Sequence, residues 1–423
     1  MINFRHLRSL TFLSICIISL VGCASYNPDP MKAVGFRERA HTKIENNVRI
    51  TAAVPSAQES KTIFGVNLYR RGIQPIWLEI ENNDEKPVWF LPLALDPNYF
   101  TPFEASYRNH FIYSFYANRV NQEMDRHFYD KGAGIYIGPG EVKSGFIFTN
   151  LDEGTKGFIV DIVGEDRKVR TFTFFIPIPG LRADHQRIDF KTLYPADEIV
   201  SYDEKGLRKA LENLPCCVTN KKGTEQGDPL NLVIIGDGKD VFYAFIRAGW
   251  DETETIYTRS ACKTTVSFLF GGRYRYSPVS PLYVYGRSQD VAFQRARETI
   301  HERNHLRLWL TPMRFEGKPV WIGQISRDIG VRFTSKTIVT HKIDPDVDET
   351  RTFLIQDLLY SQGLEKLAYA KGVGAAPISE PRGNLTGDPY FTDGLRAVMW
   401  VTSEFVDFED VEFGKWEIPP RIR

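Results

Sequence analysis

The chain of 423 residues is too long for one ordinary hydrophobic core, so two or more domains are expected. Its 42% hydrophobic and 25% charged residues form an ordinary globular composition, which excludes a wholly disordered, collagen-like or coiled-coil chain. Lys and Arg together number 53, as do Asp and Glu, so the formal net charge is zero. Without an excess of positive charge, nucleic acid is not an expected partner.

Residues 1–22 have the features of a cleaved signal peptide. Arg5 and Arg8 precede an apolar run at residues 10–21, which is shorter than the roughly 20 residues needed to cross a bilayer. The run ends in Leu20-Val21-Gly22-Cys23, which resembles the lipobox of bacterial lipoproteins, where the cysteine sulfur receives a diacylglycerol before cleavage. The quartet predicts that Cys23 is lipidated and that the protein is anchored to a membrane rather than spanning it.

The residue after the cysteine predicts which membrane carries the anchor. Ala24 follows Cys23, whereas an Asp at this position retains enterobacterial-type lipoproteins in the inner membrane. The expected location is therefore the outer membrane, with the chain facing the periplasm or exposed at the surface.

Three cysteines remain after Cys23. An exported chain folds in an oxidising compartment, so one disulfide is expected, joining Cys262 to either Cys216 or Cys217. The adjacent Cys216-Cys217 lacks a second pair at a zinc-like spacing, so no metal is expected there.

The first folded part is predicted to be all-β. Residues 23–60 read as a lipidated tether that ends in an entry strand at Val48–Ala53. Residues 61–195 hold short apolar runs separated by Gly, Pro, Asn and Asp turns, which is typical of an antiparallel β-sandwich. One helix is expected to interrupt the strands near residues 108–119.

The second part, residues 201–423, shows helical as well as strand periodicity. Ser201-Tyr202-Asp203-Glu204 matches a capping box, and apolar residues recur at helical spacing at 241–248 and 350–361. A strictly alternating strand is predicted at residues 305–310. Several strands follow one another between the helices, which favours an α+β two-layer domain with its boundary at 191–201.

Seven separated stretches of this second part follow one another in a recognisable order. They are Asn213-Leu214-Pro215-Cys216-Cys217, Gly227-Asp228-Pro229-Leu230-Asn231-Leu232, Ser277-Pro278-Val279-Ser280-Pro281-Leu282-Tyr283, Gly286-Arg287-Ser288-Gln289-Asp290, Asn304-His305-Leu306-Arg307-Leu308-Trp309, Gln324-Ile325-Ser326-Arg327-Asp328 and His341-Lys342-Ile343-Asp344-Pro345-Asp346-Val347-Asp348. Together they resemble the LssY C-terminal domain family over roughly residues 200–400. Some relatives carry this domain behind membrane phosphatase and DedA-type transporter modules, so the resemblance implies a role in the cell envelope.

A local excess of positive charge marks one candidate site. Residues 281–332 hold nine basic and five acidic side chains, whereas residues 388–423 hold eight acidic and four basic ones. The two regions either neutralise each other or are simply solvated. Alternatively, Arg287, Arg307 and Arg327 form an anion site for lipid phosphate or another envelope polymer.

A second candidate site is the acidic run after His341. Asp344 and Asp346 alternate as hard-metal ligands do, but Glu349 stands where a calcium loop needs glycine. A capping box formed by Asp346 and Glu349 is the preferred interpretation, so no metal is expected. An envelope hydrolase that uses His341, Asp344 and Asp346 remains the alternative.

One zinc-protease motif is interpreted as a coincidence. His301-Glu302-Arg303-Asn304-His305 matches H-E-x-x-H, which binds zinc only when both histidines lie on one helix. Because His305 opens the alternating strand, it would leave the face that carries His301.

The sequence thus predicts an outer-membrane lipoprotein with a binding or assembly role in the envelope and no cofactor. The expected partners are the membrane, through the lipid anchor, and an envelope protein or an anionic lipid.

Overall fold

The computed structural model describes residues 26–30, 34–112, 117–165, 167–178, 188–253, 279–296, 303–332 and 340–420. The chain divides into two compact units, residues 1–179 and 180–423. The division precedes the boundary that the sequence placed at 191–201. Phe190, Leu193 and Tyr194 pack against the core of the second unit, so the connecting segment belongs to that unit.

The described residues of the first unit form eight strands and four α-helices. The strands are β1 (His41–Glu45), β2 (Val48–Ala53), β3 (Ile73–Asn82), β4 (Val88–Leu91), β5 (Tyr136–Ile137), β6 (Val142–Asn150), β7 (Thr155–Gly164) and β8 (Val169–Pro177). The helices are α1 (Ala57–Phe64), α2 (Pro92–Leu95), α3 (Pro102–Tyr107) and α4 (Ala117–Lys131).

Two antiparallel four-stranded sheets, β1-β2-β3-β6 and β5-β4-β7-β8, share one apolar core. Side chains alternate between the two faces of β3. Ile76, Leu78 and Ile80 point into this core, whereas Trp77 points to the other face of the sheet. That other face is covered by α1, α3 and α4, which we call the helical layer. Phe64, Met124 and Phe128 of these helices pack with Trp77. The unit therefore has three layers: the helical layer, the first sheet (β1-β2-β3-β6) and the second sheet (β5-β4-β7-β8).

The described residues of the second unit form sixteen strands and three α-helices. The strands are β9 (Val200–Tyr202), β10 (Cys217–Thr219), β11 (Gln226–Pro229), β12 (Leu232–Ile235), β13 (Asp251–Glu252), β14 (Tyr283–Val284), β15 (Arg287–Ser288), β16 (Val291–Ala296), β17 (Arg303–Phe315), β18 (Lys318–Arg332), β19 (Thr340–Ile343), β20 (Leu364–Ala370), β21 (Arg382–Gly383), β22 (Pro389–Tyr390), β23 (Arg396–Val401) and β24 (Glu412–Phe413). The helices are α5 (Glu204–Glu212), α6 (Gly238–Arg247) and α7 (Val347–Tyr360).

One large mixed sheet organises this unit, in the order β13-β16-β17-β18-β12-β23-β20-β24, with β9 and β19 attached to β17 and β18. Helices α6 and α7 cover one face, where Phe245, Leu354 and Leu358 are buried. Helix α5 and the small sheet β11-β10-β14-β15 cover the other face. The long strands β17 and β18 form a hairpin whose turn, Glu316-Gly317, has positive φ at both residues.

Two local predictions were displaced. The helix expected near residues 108–119 overlaps α4, which begins at Ala117, whereas Phe111 lies outside a helix, with its N–H and its carbonyl hydrogen-bonded to the side chain of Asn121. The cap expected at Ser201 is provided by Asp203, whose carboxylate accepts from the N–H of Gly206 at 2.7 Å. Within the described ranges, no helix is both long and apolar enough to cross a membrane.

Candidate functional site

A buried row of polar side chains runs across β16, β17 and β18. Side chains alternate along a strand, so every second residue of β17 lies on one face, and Leu306 and Leu308 fill the core on the opposite face. The register of the sheet places β18 residues directly opposite those of β17. We call this surface the polar face; its members, all less than 10% exposed, are Gln294, Arg303, His305, Arg307, Gln324, Ser326 and Asp328.

Charged side chains begin the network at one end of the polar face. The Nε of Arg303 donates to Oδ2 of Asp328 at 3.2 Å, and Nη1 of Arg303 donates to Oε1 of Gln294 at 2.6 Å. The Nδ1 of His305 lies 3.6 Å from the same Oδ2 of Asp328. Arg303 and His305 therefore share one buried carboxylate.

The network continues through a hydroxyl to the second arginine. The Nε2 of His305 lies 3.0 Å from Oγ of Ser326, which also accepts from Nε2 of Gln324 at 2.9 Å. The Oε1 of Gln324 accepts from Nη1 of Arg307 at 2.8 Å. Two cations, an imidazole, a hydroxyl and a carboxylate thus form one continuous network.

Loops from distant parts of the chain contact the Arg307 end of the polar face. The Nε of Arg307 donates to the carbonyl of Ser280 at 3.1 Å. Asp228 accepts from Asn384 at 3.2 Å, and burial raises its pKa, which the positive charge of Arg307 partly offsets. Residues from four of the stretches that define the family resemblance therefore meet at or beside the polar face.

Burial makes Asp328 the most perturbed acid of the polar face. Loss of water raises the pKa of Asp328 to about 6, against the lowering effect of Arg303. The negative charge of Asp388 acts in the same direction as burial.

We expect Asp328→Asn to change how stability depends on pH. The pKa of Asp328 is about 6 in the folded state and about 3.9 in an unfolded chain. Between these values the folded state holds more protons, so ionisation of Asp328 lowers the free energy of unfolding as the pH rises, by about 3 kcal/mol in all. The variant should lack this fall when urea denaturation is followed from about pH 4 to about pH 6.5.

The exposed Asp237 provides the matched control for this experiment. Asp237→Asn should keep the wild-type pH profile, whereas an Asp328→Asn profile parallel to wild type would contradict the assignment.

The structure does not bring the three predicted arginines together. Arg287 is bound by both carboxylate oxygens of Asp290 at 3.0 Å. Arg307 lies in the polar face, whereas Arg327 lies on the opposite face of the sheet, donates to Asn304 at 3.0 Å and stacks 5.2 Å from the ring of Phe353. These contacts do not form a shared anion site.

The acidic residues after β19 cap the start of α7. The carboxylate of Asp346 accepts from the N–H groups of Asp348 and Glu349, and Asp344 accepts from the N–H of Asp346 at 3.0 Å. His341 pairs through its backbone with Val331, and its side chain is outside the described part of the structure. Among the described residues, no group of three His, Cys, Asp or Glu side chains is placed to hold a metal ion.

The cysteines differ from the predicted arrangement. Cys216 and Cys217 are bonded to each other, which leaves neither thiol available for Cys262. Cys262 and the lipidation candidate Cys23 both lie outside the described residues, as do His301 and Glu302 of the H-E-x-x-H motif. His305 is confirmed as a strand residue of β17.

Sequence reasoning missed His305, Ser326 and Asp328 as partners. The signal was present, because polar residues recur at every second position at 305 and 307 and at 324, 326 and 328, and a Glu316-Gly317 turn lies midway between the two stretches. Pairing the two stretches as a hairpin would have placed their polar residues opposite each other.

Residues 208–395 match the family model described as LssY C-terminus. The chain is thus a β-rich protein of two units, and its second unit contains an LssY C-terminal domain, as the resemblance predicted. No curated protein matches the chain.

Proposed function

We propose that the protein is an outer-membrane-anchored bacterial lipoprotein with a binding or assembly role in the cell envelope. The anchor is Cys23, and the supporting features are the charged start, the short apolar run and the quartet that ends in this cysteine. In fold terms we propose a β-sandwich for the first unit and an α+β domain for the second.

We propose that the polar face supports the binding role from inside the second unit, because its members are less than 10% exposed and hold the surrounding loops in place. The observation that carries this proposal is the meeting of polar groups from four separated family stretches at or beside one buried surface; the group from Ser280 is its backbone carbonyl. Buried polar networks are costly and tend to hold one specific arrangement of the chain, which favours a structural support for a specific binding surface. We propose an envelope protein or an anionic lipid as the partner.

Cys23→Ser tests the anchor. Without the sulfur there is no acceptor for the lipid, so the precursor should stay uncleaved and unacylated. Labelling cells with an alkyne fatty acid and fractionating their envelopes should show wild-type protein labelled in the outer membrane and the variant unlabelled. Mature-sized Cys23→Ser protein in the soluble periplasm would contradict the proposal, and Cys16→Ser serves as a control for loss of a cysteine.

An envelope hydrolase is the second candidate function. The sequence alternative was based on His341, Asp344 and Asp346, but Asp344 and Asp346 are engaged with backbone N–H groups. The observation that favours a hydrolase is a different set: Ser326, His305 and Asp328 lie in the order nucleophile, base and orienting acid.

In that set, Oγ of Ser326 would attack an acyl carbonyl while its proton passes to Nε2 of His305. Asp328 would hold the other nitrogen of the imidazole and stabilise the imidazolium. The leaving group would take the proton from His305, and water would then release the acyl group from Ser326 by the same route.

A serine-reactive fluorophosphonate distinguishes the two functions. If the protein is a hydrolase, it should be labelled, Ser326→Ala should abolish labelling, and the exposed Ser288→Ala should leave it unchanged. A folded wild-type protein that is not labelled, or equal labelling of Ser326→Ala, would leave only the binding role.

A further inference from the structure

The helical layer of the first unit exposes large apolar side chains. Phe103 is 53% exposed, Tyr107 71%, Ile112 76% and Tyr129 62%. The rings of Phe103 and Tyr129 stack with their centres 5.5 Å apart, which joins α3 to α4 at this point. Tyr107 lies one turn after Phe103 on α3, whereas Ile112 follows α3 and belongs to no helix. We call Phe103, Tyr107 and Tyr129 the aromatic surface. Tyr side chains favour the boundary between water and lipid, and Phe side chains are common on the apolar face of interfacial helices.

The start of the described chain is attached to the same layer. The ring of Tyr26 packs edge-on against His127 of α4 with centres 6.0 Å apart. The N–H of Asp29 donates to the carbonyl of Thr62 in α1 at 2.9 Å. These contacts fix the chain at Tyr26 to α1 and α4.

Only two residues, Ala24 and Ser25, lie between Cys23 and Tyr26. The three steps from Cys23 to Tyr26 span about 10 Å at most when the chain is fully extended. A lipid on Cys23 therefore holds Tyr26, which packs against the helical layer, within about 10 Å of the lipidated cysteine.

The order of layers gives the first unit two different sides. The helical layer covers the first sheet, and the second sheet lies beyond the shared core. Phe172 of β8 points into that core, so its neighbour Thr171, which is exposed, points away from it on the outer face of the second sheet. Packed sheets are about 10 Å apart, so this outer face is well removed from the helical layer.

We infer that the aromatic surface lies directly against the lipid bilayer and sets the orientation of the first unit on the membrane. This inference rests on the proposed lipid anchor at Cys23. Two ion pairs lie beside the surface, Glu104 with Arg108 and Arg119 with Glu123. In this inference apolar contact, and not attraction to anionic headgroups, holds the surface, so added salt should not release it.

Photo-crosslinking tests the orientation. Benzoylphenylalanine is placed at Tyr129 in one full-length protein and at the control position Thr171 in another, and both are incorporated into phosphatidylethanolamine–phosphatidylglycerol vesicles. We expect position 129 to form lipid adducts about fivefold more often than position 171, at low and at high salt. Equal yields, a higher yield at 171, or adducts at 129 to protein instead of lipid would overturn the inference.

A second comparison separates this inference from the anchor itself. Unacylated Cys23→Ser protein should still sediment weakly with the same vesicles, and Phe103→Ser with Tyr129→Ser should reduce that binding about fivefold or more. Acylated wild-type protein without the crosslinking difference would refute the inference while the anchor stands. Unacylated wild-type protein that still shows the difference would refute the anchor while the inference stands.

Discussion

Arg351→Ala is expected to lower the free energy of unfolding of the second unit by about 3–5 kcal/mol. Arg351 is 1% exposed, and its two terminal nitrogens bind both carboxylate oxygens of Asp393 at 3.0 and 2.7 Å. Asp348 lies 3.2 Å from the same guanidinium, which connects α7 to the segment before β23. Removing the cation leaves two buried carboxylates without their counter-ion.

The measurement is urea denaturation at neutral pH, with Arg208→Ala as the control. Arg208 pairs with Glu417 at a partly exposed site, where an ion pair contributes about 1 kcal/mol or less. A change below about 1 kcal/mol for Arg351→Ala would show that the buried pair does not hold the unit together.

Arg396→Ala is expected to lower the free energy of unfolding by about 3 kcal/mol or more, because it removes the common donor of four carbonyl groups, one in a buried and three in part-buried hydrogen bonds. Arg396 is fully buried and donates to the carbonyls of Leu230, Leu214, Pro215 and Gly372 at 2.8–3.0 Å. Loss of water lowers the pKa of its guanidinium to about 10, which still leaves it charged at neutral pH.

Arg396→Lys is the matched control, because it keeps the positive charge but has one donor nitrogen in place of the planar guanidinium. The free energy of unfolding of Arg396→Lys should lie between those of wild type and Arg396→Ala. Hydrogen exchange of the segment around Cys216 should rise in the same order. Wild-type exchange in Arg396→Ala would show that the carbonyls find other partners and would contradict this role.

Much of the first unit could be predicted from alternation alone. Ile76, Leu78 and Ile80 share a face, and their strand was placed correctly within β3. Helix positions were harder, because α3 begins where Thr101 caps the residues after it, and Phe111 beyond it is hydrogen-bonded by Asn121, ten residues further along the chain. Side-chain contacts of this kind leave no hydrophobic periodicity in the sequence.

The candidate site shows a different limit. Alternation predicted that His305 and Arg307 share a face, but it does not tell whether that face meets water or protein. The local charge excess suggested an exposed cationic surface, whereas β17 is covered on both faces and Arg307 is interior. The spacing of cysteines likewise could not show that Cys216 would bond its own neighbour.

The mass of the N-terminal peptide of membrane-purified protein tests the proposed anchoring most directly. The account predicts a peptide that begins at Cys23 and carries a diacylglyceryl group on its sulfur. A peptide that begins at Met1, or one in which Cys23 carries no lipid, would contradict it.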